Sequence, residues 1–319
     1  MDKRKTGMTF AILSAIAWGT YGTFYSILLE KGITDLTLVA LAPFALVVYF
    51  GLRVLFKPHV LKAIPLKYYI GMALQGFLIV NAFNYCYSQA YANGMAVGIV
   101  SVVAFTNVLV IMVESYFILK YKFTMAKVVS MVLALAGLSL VLEIYSGGSG
   151  VFTVTGLLWT LLIPLFYGTN VTLNSFFIVK GCDTDAILFI TQLAAMVFMV
   201  LFQIHPPAIA ANLTAVVRET PSVIWPLLGF CTLPMIFCYA MMQECLKRLE
   251  PSIMGIIYSL DPVTSFTLGL IVFGQPIRGL QIVGIVMIIA AVVYINFAEG
   301  REAKGEDRVD QAASSDPVI

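Results

Sequence analysis

Apolar residues run along this chain in blocks of about twenty, the length a bilayer-crossing helix needs. The blocks lie at roughly 8–29, 36–56, 68–90, 95–119, 126–145, 153–179, 186–204, 222–246, 252–273 and 279–298. The pattern therefore predicts an all-α polytopic membrane protein with ten transmembrane helices. Connections between blocks are short. The longest, His205 to Pro221, reads as a loop because it carries Pro206-Pro207 and Arg218-Glu219. From Glu299 the text turns charged and rich in small residues, which predicts a disordered tail over 299–319.

Polar positions within the blocks fall into stripes. Ser14, Trp18, Tyr21 and Tyr25 stand at i, i+4, i+7 and i+11, one face of a helix. Tyr167, Asn170 and Asn174 repeat that stripe in the sixth block. Asn81, Asn84, Tyr85 and Ser88 form another in the third. Polar groups in hydrocarbon are costly and usually face a bundle interior or a wet cavity. The competing reading is plain helix–helix bonding and interfacial anchoring. As cavity liners, Trp18, Tyr21, Asn81, Asn84, Tyr85, Tyr167 and Asn170 would stack a planar or apolar group and orient a polar one. These, with Asp261, are the candidate substrate-binding residues.

The first and sixth stripes sit in a repeated string. Trp18-Gly19-Thr20-Tyr21-Gly22-Thr23-Phe24-Tyr25-Ser26 and Tyr167-Gly168-Thr169-Asn170-Val171-Thr172-Leu173-Asn174-Ser175 share four residues of nine at an offset of 149. Later blocks align at an offset of 154, pairing Tyr85 with Tyr239 and Gln89 with Gln243. Ser146-Gly147-Gly148-Ser149-Gly150 is a flexible midpoint fit to join halves. Residues 1–146 and 151–298 then read as two five-helix repeats. An odd number of spans per half reverses the second copy in the membrane, so the repeats are inverted.

Composition agrees. Hydrophobic residues are 60% of the 319 and charged ones 11%, against about 45–50% and about 25% in soluble domains. The bilayer is the implied partner. A net charge of +2 gives no field for nucleic acid. With both termini on one side, 16 Lys and Arg fall there and 3 on the other, which assigns the first side as cytoplasmic. Lys3, Arg4 and Lys5 before an apolar run resemble a signal sequence, but the run continues to Leu29, so the first span reads as uncleaved. A prokaryotic inner membrane is the expected location.

Chemistry-bearing motifs are sparse. No GxxxxGK loop, HExxH or GxSxG occurs, so neither direct ATP use nor these hydrolytic sites is expected. No cofactor is implied. Cys231, Cys238 and Cys245 recur every seven residues and read as packing residues. Asn212-Leu213-Thr214 matches a glycosylation acceptor. Gly94 and Gly98 form a small-xxx-small pair. Prolines 43, 164, 234 and 262 fall within spans, where they can kink helices. Asp261 lies about 15 Å into the ninth span, where an ionised carboxylate costs about 2.5–3.5 kcal/mol. It needs a partner, water or a proton. It could carry a coupling proton or bond backbone groups freed by Pro262. Glu114 shares a face with Asn107 in the fourth span and poses the same choice.

Ala17-Trp18-Gly19, then Leu260-Asp261-Pro262 followed by Val272-Phe273-Gly274-Gln275-Pro276-Ile277, resemble motifs of the drug/metabolite transporter superfamily in its EamA-type branch. The resemblance covers roughly residues 8–298. It implies two inverted five-helix repeats, a central cavity and alternating access, often for export of amino acids or other small metabolites. Gln275 stands where the family usually has Glu. Asn107-Val108 replaces its acid-Pro pair, and Lys120-Tyr121-Lys122 its Gly-Glu turn. The chain thus reads as a secondary transporter, an exporter of a small organic solute. An intramembrane enzyme acting on lipid, or a non-transporting sensor, is the alternative. A homodimer stays open.

Overall fold

The computed structural model describes residues 3–93, 95, 100, 103–122, 124–141, 153–274 and 278–315, with residues 91, 266, 273, 296 and 299–315 described by backbone alone. Among the described residues every regular element is helical. In chain order the helices are α1 (Lys3–Gly19), α2 (Tyr21–Glu30), α3 (Asp35–Leu55), α4 (His59–Lys62), α5 (Leu66–Leu74) and α6 (Asn81–Ala92). Then come α7 (Asn107–Glu114), α8 (Met125–Val141), α9 (Val154–Val179), α10 (Thr184–Phe202), α11 (Pro206–Glu219) and α12 (Ile224–Phe230). The last are α13 (Cys238–Leu246), α14 (Pro251–Ile257), α15 (Leu260–Phe273) and α16 (Gly279–Ser315). Wider π turns join α5 to α6 (Gln75–Val80) and α12 to α13 (Cys231–Phe237), and another follows α7 (Ser115–Leu119).

Six continuous runs are long and apolar enough to cross a membrane: Lys3–Glu30, Asp35–Leu55, Val154–Val179, Thr184–Phe202, Pro221–Leu246 and Pro251–Val272. Val103–Leu119, Met125–Val141 and Gly279–Ile295 are apolar but shorter among the described residues. The third predicted span, roughly 68–90, falls within a helical run from Leu66 to Ala92 that is diluted by Asn81, Asn84, Ser88 and Gln89. The predicted loop from His205 to Pro221 is largely α11. Pro206 and Pro207 open that helix, where a missing N–H costs nothing. The tail read from Glu299 falls on the backbone of α16. The Ser146–Gly150 linker, Gly94, Gly98 and Gln275–Ile277 lie outside the described residues.

The duplication is written into the turns. After α2, Gly32 takes φ +89°, and after α9, Gly181 takes φ +81°, the left-handed region only glycine enters cheaply. Each closes the same helix end. Ile33 N–H bonds Leu28 O at 3.1 Å, and Cys182 N–H bonds Phe177 O at 3.0 Å. Two residues on, Thr34 and Asp183 cap α3 and α10 with their side chains. Each of these pairs is 149 residues apart. At an offset of 154, Lys120 (φ 63°) and Gly274 (φ 65°) end two other helices alike.

Corresponding helices pack antiparallel. Arg53 at the end of α3 meets Asp185 at the start of α10 at 3.1 Å, while Ala40 and Met199 pack together at the other ends. For α8 and α16, Gly137 and Gly284 approach so closely that a Cβ on either would lie under 3 Å from the other's carbonyl oxygen. Arg53, Lys127, Lys247 and Arg248 all sit at one end of the bundle, the basic end, with Asp185, Glu250 and Glu244 as partners.

Candidate functional site

The first apolar run is two helical segments, α1 and α2, joined through a single residue. It breaks at Thr20, whose hydroxyl and N–H both donate to Ala17 O, at 2.7 and 3.2 Å. A second break, at Tyr258-Ser259, separates α14 from α15 and puts Asp261 in the first turn of α15. These two interruptions meet. Gly19 lies so near α15 that an added Cβ would be 2.5 Å from Thr264 Cβ and 2.8 Å from Asp261 O. The Ser265 hydroxyl sits between the helices, 2.9 Å from Gly19 O and 3.2 Å from Asp261 Oδ1.

The other half repeats this contact. A Cβ on Gly168 would lie 2.8 Å from Val110 Cβ and 3.2 Å from Asn107 O. Asn107 also follows an interruption of its helix, at Thr106. Gly168 is 149 beyond Gly19. Asn107 and Val110 are 154 before Asp261 and Thr264. The glycine of the repeated string is thus the point where an unbroken backbone approach to a broken helix is needed in each half.

Aromatic rings line the first contact. Trp18 stacks on Tyr21 at 5.5 Å and Tyr21 on Tyr25 at 5.4 Å. From the opposite wall Tyr239 stands edge-on to Trp18 at 5.9 Å, and Phe230 tilts against Tyr21 at 5.4 Å. Tyr167 packs on Phe83 at 5.2 Å. Tyr239 and Tyr167 pack against one shared cluster, so Tyr239 links the two groups. Trp18, Tyr21, Tyr167, Tyr239 and Asp261 are all half-buried. One layer nearer the basic end, the Ser14 hydroxyl bonds the Tyr258 hydroxyl and donates to Cys238 O at 2.8 Å.

Other candidates go elsewhere. Asn81 is buried and donates to Gly76 O and, across to α10, to Ala195 O at 3.4 Å. Asn170 accepts from Gln75 through its side chain at 2.8 Å and its backbone at 3.1 Å, fastening α9 to the third run. Both serve helix–helix bonding. Tyr85 is 47% exposed and stands edge-on to Trp159, while Phe83 takes the place against Tyr167. Asn84 is half-buried beside it. Glu114 accepts from Thr169 at 2.7 Å, and its other oxygen is buried without a partner among the described residues. Asn212 uses its amide nitrogen on Gly32 O and its oxygen on Thr34 and Thr37, as a fastener of α11. Of Tyr239, Tyr258, Phe83 and Ser265, only Tyr239 carries a mark in the sequence, its pairing with Tyr85 at the 154 offset.

Beyond this layer the basic end is shut. Met8, Ala11, Val108, Ile111, Met112, Leu246, Leu249 and the run from Ile253 to Tyr258 form one buried cluster drawn from both halves. The Lys127 ammonium, almost fully buried, pairs with Glu250 across the same halves and donates to Lys122 O at 2.9 Å.

The EamA-like transporter family model matches this chain twice, over residues 5–143 and 154–297. The chain belongs to the EamA-like transporter family. This family sits within the drug/metabolite transporter superfamily. The two family matches flank the stretch that contains Ser146–Gly150. No curated protein matches the chain. Twenty-nine chains of solved structures do. One, a protein crystal structure, superposes with a TM-score of 0.73 at 16% identity, over 93% of this chain and 99% of that one. At that identity the likeness speaks for the family fold alone.

Proposed function

We propose that the chain is a secondary carrier that exports a small organic solute, such as an amino acid, by alternating access. Ten spans form two inverted five-helix halves in a prokaryotic inner membrane, with both termini and the basic end in the cytoplasm. The observation that carries this reading is the paired contact of Gly19 with α15 and Gly168 with α7. Each places a polar residue, Asp261 or Asn107, just after a helix break and beside an aromatic residue, Trp18 or Tyr167. Broken helices at a repeat interface are where transporters hold their cargo.

In this reading Trp18, Tyr21 and Tyr167, with Tyr239, give the solute apolar and π faces. Asp261 gives it a charged or hydrogen-bonding anchor, with Ser265 steadying the carboxyl. Asn84 and Tyr85 stand at the margin of the passage. Asn81 and Asn170 hold its walls. In this reading the closed cluster at the basic end leaves the seam to meet the opposite side of the membrane in this state.

The test is flux in proteoliposomes with product analysis, after a thermal-shift screen over amino acids, sugars, amines and nucleosides. Trp18→Ala is expected to cut flux with membrane abundance unchanged. Wild-type flux in this variant would remove the seam from the reading. A chemically altered product would favour an enzyme instead.

A further inference from the structure

The seam presents ring faces and a carboxylate, and no cation matches that carboxylate among the described residues. Asp261 Oδ1 accepts from Ser265 at 3.2 Å. Oδ2 takes no hydrogen bond or ion pair among the described residues. Neither oxygen is among the sealed polar atoms, and the residue is only half-buried. The hydroxyls of Tyr21, Tyr167 and Tyr239 are likewise unsealed, on half-buried residues.

These groups share one field, and it is negative. Asp261 and Tyr239 both act electrostatically on Tyr167, and Tyr239 acts on Tyr21. The other acid acting on Tyr21 is Asp35, which accepts from Tyr25 at the far end of the stripe. No lysine, arginine or histidine among the described residues acts on Asp261, Tyr21 or Tyr239. The rings add to the same sign. Trp18, Tyr21 and Tyr25 form a stacked column, with Tyr239 and Phe230 against it. An aromatic face attracts a cation within about 6 Å of its centroid. An ionised carboxylate at membrane depth needs a partner, and an entering cation supplies one.

We propose that the solute of this seam is an organic amine, a monocation whose remainder is neutral. Its ammonium lies against Asp261 Oδ2, and its carbon atoms rest on Trp18, Tyr21 and Tyr239. The assignment rests on the carrier reading, which puts the solute in this seam. Among the solutes that reading admits, a free carboxylate would meet Asp261 with no cation to offset it. An unpaired like charge is how a site rejects a competitor.

The full chain in detergent would be titrated with four probes of one shape. They are phenethylamine, phenethyl alcohol (no charge), 3-phenylpropionate (an anion) and phenylalanine (a zwitterion). Phenethylamine is expected to bind saturably and at least about tenfold more tightly than each of the others. Asp261→Asn should remove most of the preference for the amine over the alcohol while alcohol binding holds, a pattern that a misfolded chain does not give. Tyr239→Leu should weaken the amine about tenfold, and Tyr239→Phe should keep it, because the ring faces the cation. No saturable amine binding overturns the proposal. So does an alcohol, anion or zwitterion that binds as tightly, or an amine affinity that neither Asp261→Asn nor Tyr239→Leu lowers. The comparison among probes needs no variant, so it stands even where a substituted chain fails to fold. Binding is read without flux, so the two readings fail separately. Amine-selective binding with no amine flux in proteoliposomes removes the carrier alone. Flux of another solute with no preference for the amine removes the amine alone.

Discussion

Two glycines three residues apart in one string have opposite surroundings. An added Cβ on Gly19 meets Thr264 at 2.5 Å, whereas on Gly22 it meets nothing within 4 Å. Overpacking a tight contact costs about 1–3 kcal/mol. Exposed Gly→Ala inside a helix gains up to about 1 kcal/mol. Gly19→Ala should therefore lower the melting temperature in detergent, and Gly22→Ala should leave it unchanged or raise it. Gly168→Ala should follow Gly19→Ala, through Val110. Equal melting of Gly19→Ala and Gly22→Ala would show that α1 is free to shift from α15. The sequence marked Gly19 and Gly168 by repetition, since both copies need the same bare backbone. It left Tyr258 and Ser265 unmarked. Their partners, Ser14 and Gly19, lie more than two hundred residues away, and helical periodicity names a face but no neighbour.

The third run shows the same gap at the scale of elements. Asn81, Asn84, Tyr85 and Ser88 do share a helical side, as their spacing predicts. The neighbour changes along it, because α10 packs on α5 and the Gln75–Val80 turn and touches little of α6. Asn81 is thus buried against Ala195 O, and Tyr85 one turn later is exposed. The turn repeat is legible in the sequence, since Lys31-Gly32 recurs as Lys180-Gly181 at the same 149 offset. In α11 the two prolines suggested a loop, although proline at a helix start is compatible with helix. Asn212 ties that helix to Gly32, Thr34 and Thr37. Asn212→Ala removes four bonds from a partly exposed site, each worth about 1 kcal/mol or less. It should speed proteolysis between α10 and α12 while leaving the melting of the rest of the chain nearly unchanged. Unchanged proteolysis would show that the α11 face, with Val216 buried on it, suffices to hold the helix.

For the molecule as a whole, alternating access requires the cluster at the basic end to come apart. Val108 on α7 and Gly255 on α14 belong to different halves and touch there, with a Gly255 Cβ placed 3.3 Å from Val108 Cγ2. A cysteine sulfur at 108 would occupy a γ position like that of Cγ2, so the two positions suit a disulfide. The pair Val108→Cys and Gly255→Cys, in a background without the five native cysteines, should cross-link under mild oxidation. The bond pins the state seen here. Flux should then collapse on oxidation and return with reductant, while each single cysteine variant ignores both treatments. Solute binding from the opposite side should survive the cross-link, because the Trp18 seam lies on the far side of the cluster from the basic end. Continued flux through the oxidised protein would mean that the halves do not part at this cluster, and that the solute takes another route past α7 and α14.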